Sequence, residues 1–199
     1  IPEPVLAWID TGIDPANPQG HATRTSNEAK AVCGSCQFRS LQVSKDGAGI
    51  TPDSVALAVK AAREAGAHLI YFGFGMLTTS LDLAREVALA RKAGVLLVAP
   101  AGVGLRNPFR PQPVSELFPQ SLGGVIVIGT AIRDSEGGVR VDPGANFGPE
   151  VLISVPLPGP APESSLAAAQ IAGRLGHHLA TVGRLQEGIA RELIQSLKF

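Results

Sequence analysis

The sequence predicts an α/β fold, a mostly parallel sheet with helices on its faces. Three observations carry that expectation. Strand-like and helix-like segments alternate along the chain. Runs such as VLLVA (95–99) and VIVIG (125–129) are continuously apolar, as strands buried on both faces are. The clearest helical segments open on a hydroxyl cap and close on glycine.

Taken in order, VLAWID (5–10) is a buried-strand run ending in an acid, and RSLQV (39–43) alternates like a second strand. In TPDSVALAVKAAREAG, Thr51 is the expected N-cap, Pro52 takes the first helical position and Gly66 ends the helix. Its apolar residues Val55, Ala58, Val59 and Ala62 recur at helical spacing. HLIYFGF (68–74) is the next strand, and SLDLAREVALARKAG is a helix capped by Ser80 and stopped at Gly94. The strands at 95–99 and 125–129 follow, separated by a segment, 105–121, whose four prolines mark a long loop. EVLISVP (150–156) is the last strand. Two helices close the chain, one from about Ser165 to Ala180 and one from about Arg184 to Leu197. No repeat or linker interrupts this pattern, so residues 1–199 are expected to form a single domain.

Composition narrows the function classes. Lys plus Arg and Asp plus Glu both number 17, so the net charge is zero. A neutral chain has no electrostatic case for nucleic acid or acidic membranes. The longest apolar runs, such as AGVLLVAPAGVG, fall short of the roughly 18 residues that suggest a membrane span. The chain starts at Ile1 and not Met, so a processed form or excised domain is expected. The two cysteines, in VCGSCQ, leave three readings open: free thiols, a local disulfide, or metal or redox chemistry. They indicate no compartment.

In open parallel sheets, sites gather at the carboxyl ends of the strands. Asp10, Gly73 to Gly75 and Ala101 to Gly104 stand at such ends, and Ser165 joins them if its helix starts at the same edge. Taken singly, each residue has an ordinary reading. Asp10 suits a strand-end turn, His21 a loop, and Ser165 a helix start at which Ser164 competes for the cap.

Together they resemble one family. VLAWIDTGID is similar to the Asp motif of subtilisin-like serine peptidases, GHATRTSNEA to their His motif, and ESSLAAAQIAG to their Ser motif. The order Asp, His, Ser is the family's own. Between the motifs, GAHLIYFGFG resembles the substrate-binding strand and GVLLVAPAGVG the oxyanion-loop strand. FPQSLGGVIVIGTA and NFGPEVLISVP extend the collinear resemblance over nearly the whole chain. It implies a subtilisin-like three-layer α/β/α fold and a serine endopeptidase acting on a peptide or protein. Asp10 would orient the imidazole, His21 would be general base and then acid, and Ser165 the nucleophile. Gly73, Phe74 and Gly75 would line the substrate pocket, with glycine at 73 where the family usually has Ser leaving room for a substrate. A pro-segment or partner domain would lie outside this chain, and no cofactor is implied.

The chain departs from the family pattern at informative places. Val103 stands where the family has the oxyanion Asn, and loss of one such donor costs about 10² to 10³ in turnover. The Ser165 N–H would remain, and Asn107 lies four residues on. Ala22 and Arg24 alter the His motif, and Glu163 replaces a Gly two residues before the serine. A carboxylate there would oppose an oxyanion and raise a nearby histidine pKa. Ala169 and Gln170 replace a Pro and a His behind the serine, where packing is at stake. Shortened loops remove the usual calcium sites, and no carboxylate cluster is set to rebuild one, so no metal is expected. These departures define the alternative function: an inactive pseudo-peptidase that binds a peptide or protein.

Overall fold

The computed structural model describes residues 3–103, 110–134, 136–157 and 163–197. The elements run β1 (Val5–Asp10), α1 (His21–Cys33), β2 (Gln37–Gln42), α2 (Pro52–Glu64), β3 (Leu69–Phe72), α3 (Leu81–Lys92), β4 (Leu96–Pro100), β5 (Val125–Arg133), β6 (Val139–Val141), β7 (Val151–Pro156), α4 (Ser164–Val182) and α5 (Glu187–Gln195). The sheet has the order β2-β1-β3-β4-β5-β6, and β7 also pairs with β5. All pairings are parallel except β5 with β6.

Strand alternation builds two cores. Leu6 and Trp8 of β1 join Leu69, Tyr71, Val98 and Ile128 on the face covered by α1, α4 and α5. Ala7 and Ile9 join Ile70, Phe72, Leu97 and Val127 on the face covered by α2 and α3. A sheet apolar on both faces needs a helical layer on each, and the result is three layers. No helix among the described residues is long and apolar enough to cross a membrane.

The local signals at α2 and α3 act as expected. Thr51 Oγ1 accepts the Ser54 N–H at 3.2 Å, and Ser54 Oγ accepts the Thr51 N–H at 3.3 Å. Ser80 Oγ accepts the Leu83 N–H at 3.2 Å. Elsewhere the boundaries move. β3 ends at Phe72, so Gly73 to Gly75 lie beyond the strand. α4 starts at Ser164 with Glu163 as N-cap, one residue earlier than expected. α5 starts only at Glu187.

α1 carries no helix expectation in the sequence, because HATRTSNEAKAVC is rich in residues of middling helix propensity. The hydroxyls turn inward and bond back to the helix: Thr25 Oγ1 to the His21 and Ala22 carbonyls, Ser26 Oγ to that of Thr23. Ala22 and Ala29 are buried in the core shared with α4.

Glycines let α1 and α4 approach closely. A Cβ on Gly173 would lie 2.6 Å from the Ala29 carbonyl oxygen and 3.0 Å from its Cα. A Cβ on Gly176 would meet the sulfurs of Cys36 and Cys33. Those cysteines form a disulfide between the end of α1 and the start of β2, which settles the three readings of the pair. In an exposed helix, Gly→Ala stabilises by about 1 kcal/mol. At Gly173 the backbone of α1 stands in the way, so we expect Gly173→Ala to destabilise by about 1–3 kcal/mol. Urea unfolding monitored by circular dichroism checks the sign; a raised midpoint would contradict this account of the packing.

Candidate active site

The carboxyl edge of the sheet assembles the predicted residues. β1 delivers Asp10 at its end, and the loop that follows leads directly into α1, whose first residue is His21. The Asp10 carboxylate is 2% exposed and takes the His21 Nδ1 at 2.8 and 3.0 Å. It also accepts the Thr11 N–H at 2.6 Å. A buried carboxylate must be met by donors of this kind, and the neighbouring charges then fix the imidazole. Burial alone would lower the His21 pKa. The hydrogen bond and charge of Asp10, helped by the charge of Glu163, outweigh burial and the opposing charge of Arg24, and hold it above the ordinary 6.5. An imidazolium favoured in this way adds stability below pH about 6.5, and that stability is lost as pH rises through the raised value.

Gly73 is the first residue past β3, and its N–H bonds the Ile9 carbonyl at 3.0 Å. A Cβ on this residue would overlap the Asp10 carboxylate. The space gained by glycine here is filled by the acid, which gives a physical reason for glycine beyond the room for substrate expected from the sequence.

Two cavities meet at Gly73, Phe74 and Gly75. One, of about 600 Å³, is lined by Asp10 and His21 and by the loop at Asp46 to Ile50. The other, of about 370 Å³, lies between the ends of β3 and β4 and the start of α4, and Ser165 is in its wall. The structure therefore bonds Asp10 to His21 and sets Ser165 in the adjoining cavity. The Ser165 hydroxyl makes no hydrogen bond among the described residues.

Three supporting residues, Tyr71, Gln120 and Asn146, have no assigned role in the sequence, and a fourth, Ser164, expected to compete for the cap of α4, bonds elsewhere. Tyr71, fully buried and stacked on Trp8 at 4.0 Å, donates its hydroxyl to the Ser165 carbonyl at 3.0 Å. Burial, then the charge of Asp10, push the Tyr71 pKa well above 10, so it stays a phenol and a donor. Ser164 Oγ accepts the Gly102 N–H at 3.0 Å and ties α4 to the loop after β4. Gln120 Nε2 donates to the Phe74 and Pro100 carbonyls at 2.8 and 3.0 Å and joins the two walls of the Ser165 cavity. Asn146 Nδ2 donates to the carbonyls of Ala101 and Val103, both at 2.9 Å.

These bonds bear on Val103, the residue expected at the oxyanion position. Val103 is 48% exposed and its side chain has no donor. Asn146 is close by in the fold, but its amide is spent on two carbonyls, and the Gly102 N–H is spent on Ser164. Asn107 lies outside the described residues. The Ser165 N–H lies in the first turn of α4, where backbone donors have no partner within the helix, and among the described residues no hydrogen bond engages it. Among the described residues no group of three or more His, Cys, Asp or Glu is placed to hold a metal ion.

If Gly73 is there for Asp10, Gly73→Ala should push the carboxylate off His21. The expected outcome is a lower His21 pKa than in the unaltered chain, with the fold retained, read from the imidazole Cε1–H resonance during an NMR pH titration. An unchanged titration would refute this role for Gly73.

No protein-family model and no curated protein matches the chain. Solved structures do. The chain is similar to a lanthipeptide protease (17% identity, TM-score 0.77, covering 98% of this chain and 79% of that one). It is similar to a cold-adapted subtilisin-like serine proteinase (17%, TM-score 0.76, 96% and 81%). It also matches fervidolysin from Fervidobacterium pennivorans, a keratinolytic enzyme related to subtilisin (16%, TM-score 0.82, 100% of this chain and 39% of that one). At these identities the likeness concerns the fold, and the fold of this chain is subtilisin-like, in a divergent form.

Proposed function

We propose that the chain is a serine endopeptidase that cleaves peptide bonds through Asp10, His21 and Ser165. The observation that carries this is the bond from Asp10 to His21 Nδ1 beside a cavity with Ser165 in its wall. With Nδ1–H held by the carboxylate, Nε2 is the basic nitrogen. It takes the Ser165 hydroxyl proton as Oγ attacks the scissile carbonyl, then gives that proton to the leaving amine. Water, deprotonated in turn by Nε2, releases the acyl group and restores Ser165. Gly73 to Gly75 leave the sheet next to both cavities, and an extended substrate would pair along them by strand addition. The oxyanion is met by the Ser165 N–H at the start of α4, with no side-chain partner from Val103.

Val103 favours a second reading, an inactive relative that binds peptides in the same cleft. A hydrolysis assay on an unfolded protein substrate separates the two. On the first reading the chain turns over slowly, Ser165→Ala abolishes turnover, and Val103→Asn raises it by about 10- to 100-fold. The rate should climb with pH through a midpoint above 6.5, because His21 must be neutral to act as base and its pKa is raised. No turnover in the unaltered chain and none in Val103→Asn would favour the binding reading.

A further inference from the structure

Two departures from the family pattern, far apart in sequence, meet in the fold. Arg24 lies one helical turn after His21 on α1, and Glu163 is the N-cap of α4, two residues before Ser165. The Arg24 guanidinium Nη2 donates to Glu163 Oε2 across 139 positions of sequence. Each alone would harm the chemistry. Glu163 lines the Ser165 cavity, where negative charge develops on the substrate. Arg24, unpaired, would stand as a lone positive charge beside an imidazole that must become positive. Together their charges cancel.

The pair contributes little stability, since its side chains are 34% and 46% exposed and solvent screens it. What it fixes is geometry. It ties the start of the serine's helix to the histidine's helix. A second tie runs through the core: Tyr71 bonds the Ser165 carbonyl, and Trp8, stacked on Tyr71, donates Nε1–H to Thr25 Oγ1 of α1 at 2.9 Å.

We infer that Arg24 and Glu163 form a latch across the cleft that positions Ser165 against His21, a charged pair in place of the histidine and glycine of the family pattern. Both are positioning residues, and the inference rests on the reading of His21 as base and Ser165 as nucleophile. The charged groups around His21 are Asp10 from β1, Arg24 on its own helix and Glu163 from α4, with Asp14, Lys45 and Asp46 lining the clefts beside it. Glu163 raises the His21 pKa and Arg24 lowers it, so the latch also balances the base.

The test uses the whole chain with Glu163→Gln, Arg24→Gln, and the exchange Arg24→Glu with Glu163→Arg. NMR titration of His21 needs no activity. Its midpoint should fall in Glu163→Gln and rise in Arg24→Gln. The rate of labelling by a fluorophosphonate should drop about tenfold in each single variant and return to within about threefold of the original in the exchange. Unmoved midpoints, or labelling unaffected by either single change, would overturn the latch. An unaltered chain that takes no label would instead remove the nucleophile reading, and the titration alone would then decide the latch.

Discussion

The site depends on one buried carboxylate. Asp10 ends β1 with 2% of its surface exposed, and an acid in that position must be hydrogen-bonded or the strand end is unstable. Its donors are the Thr11 N–H and the His21 imidazole, and its space is provided by Gly73. Several other features follow from this. α1 must begin at residue 21 to bring the imidazole within reach. β3 must leave the sheet at 73 on a residue without a side chain. The cleft opens between the two.

Helix packing carries the site from Asp10 to Ser165. α1 and α4 both begin at the carboxyl edge of the sheet, one with the histidine and one with the serine near its N-terminus. Their close approach at Gly173 and Ala29, and at Gly176 and the Cys33–Cys36 disulfide, fixes the distance between those ends. Tyr71 adds a tie from β3 to the serine's own carbonyl, and Ser164 ties α4 to the loop after β4. Val103, at the position expected for the oxyanion donor, offers a side chain without a donor. The nearby amide of Asn146 does not supply one, because that amide already holds the backbone of the same loop in place.

Much of the fold was legible because its signals are local. Thr51 with Ser54, Ser80 with Leu83, and the apolar runs of β4 and β5 depend on near neighbours in sequence. α1 was not legible as a helix, since its stability comes from packing against α4, while its buried hydroxyls are merely satisfied by bonds back to its own carbonyls. The motif residues Asp10, His21 and Ser165 could be named from order and resemblance. The meaning of their surroundings could not. Arg24 and Glu163 read as two separate losses until the fold paired them. Gly73 read as space for a substrate until the Asp10 carboxylate was seen to occupy it. Tyr71, Gln120 and Asn146 act through bonds to residues 20 to 94 positions away, which no local pattern encodes.

The central claim is that the Asp10–His21 pair serves Ser165 as nucleophile. The most direct measurement is to treat the chain with a fluorophosphonate and locate the adduct by tandem mass spectrometry, with His21→Ala as control. The account predicts a single phosphonylated residue, Ser165, and no adduct in the control. An adduct on Ser164 or another serine, or an adduct on Ser165 that persists without His21, would contradict it.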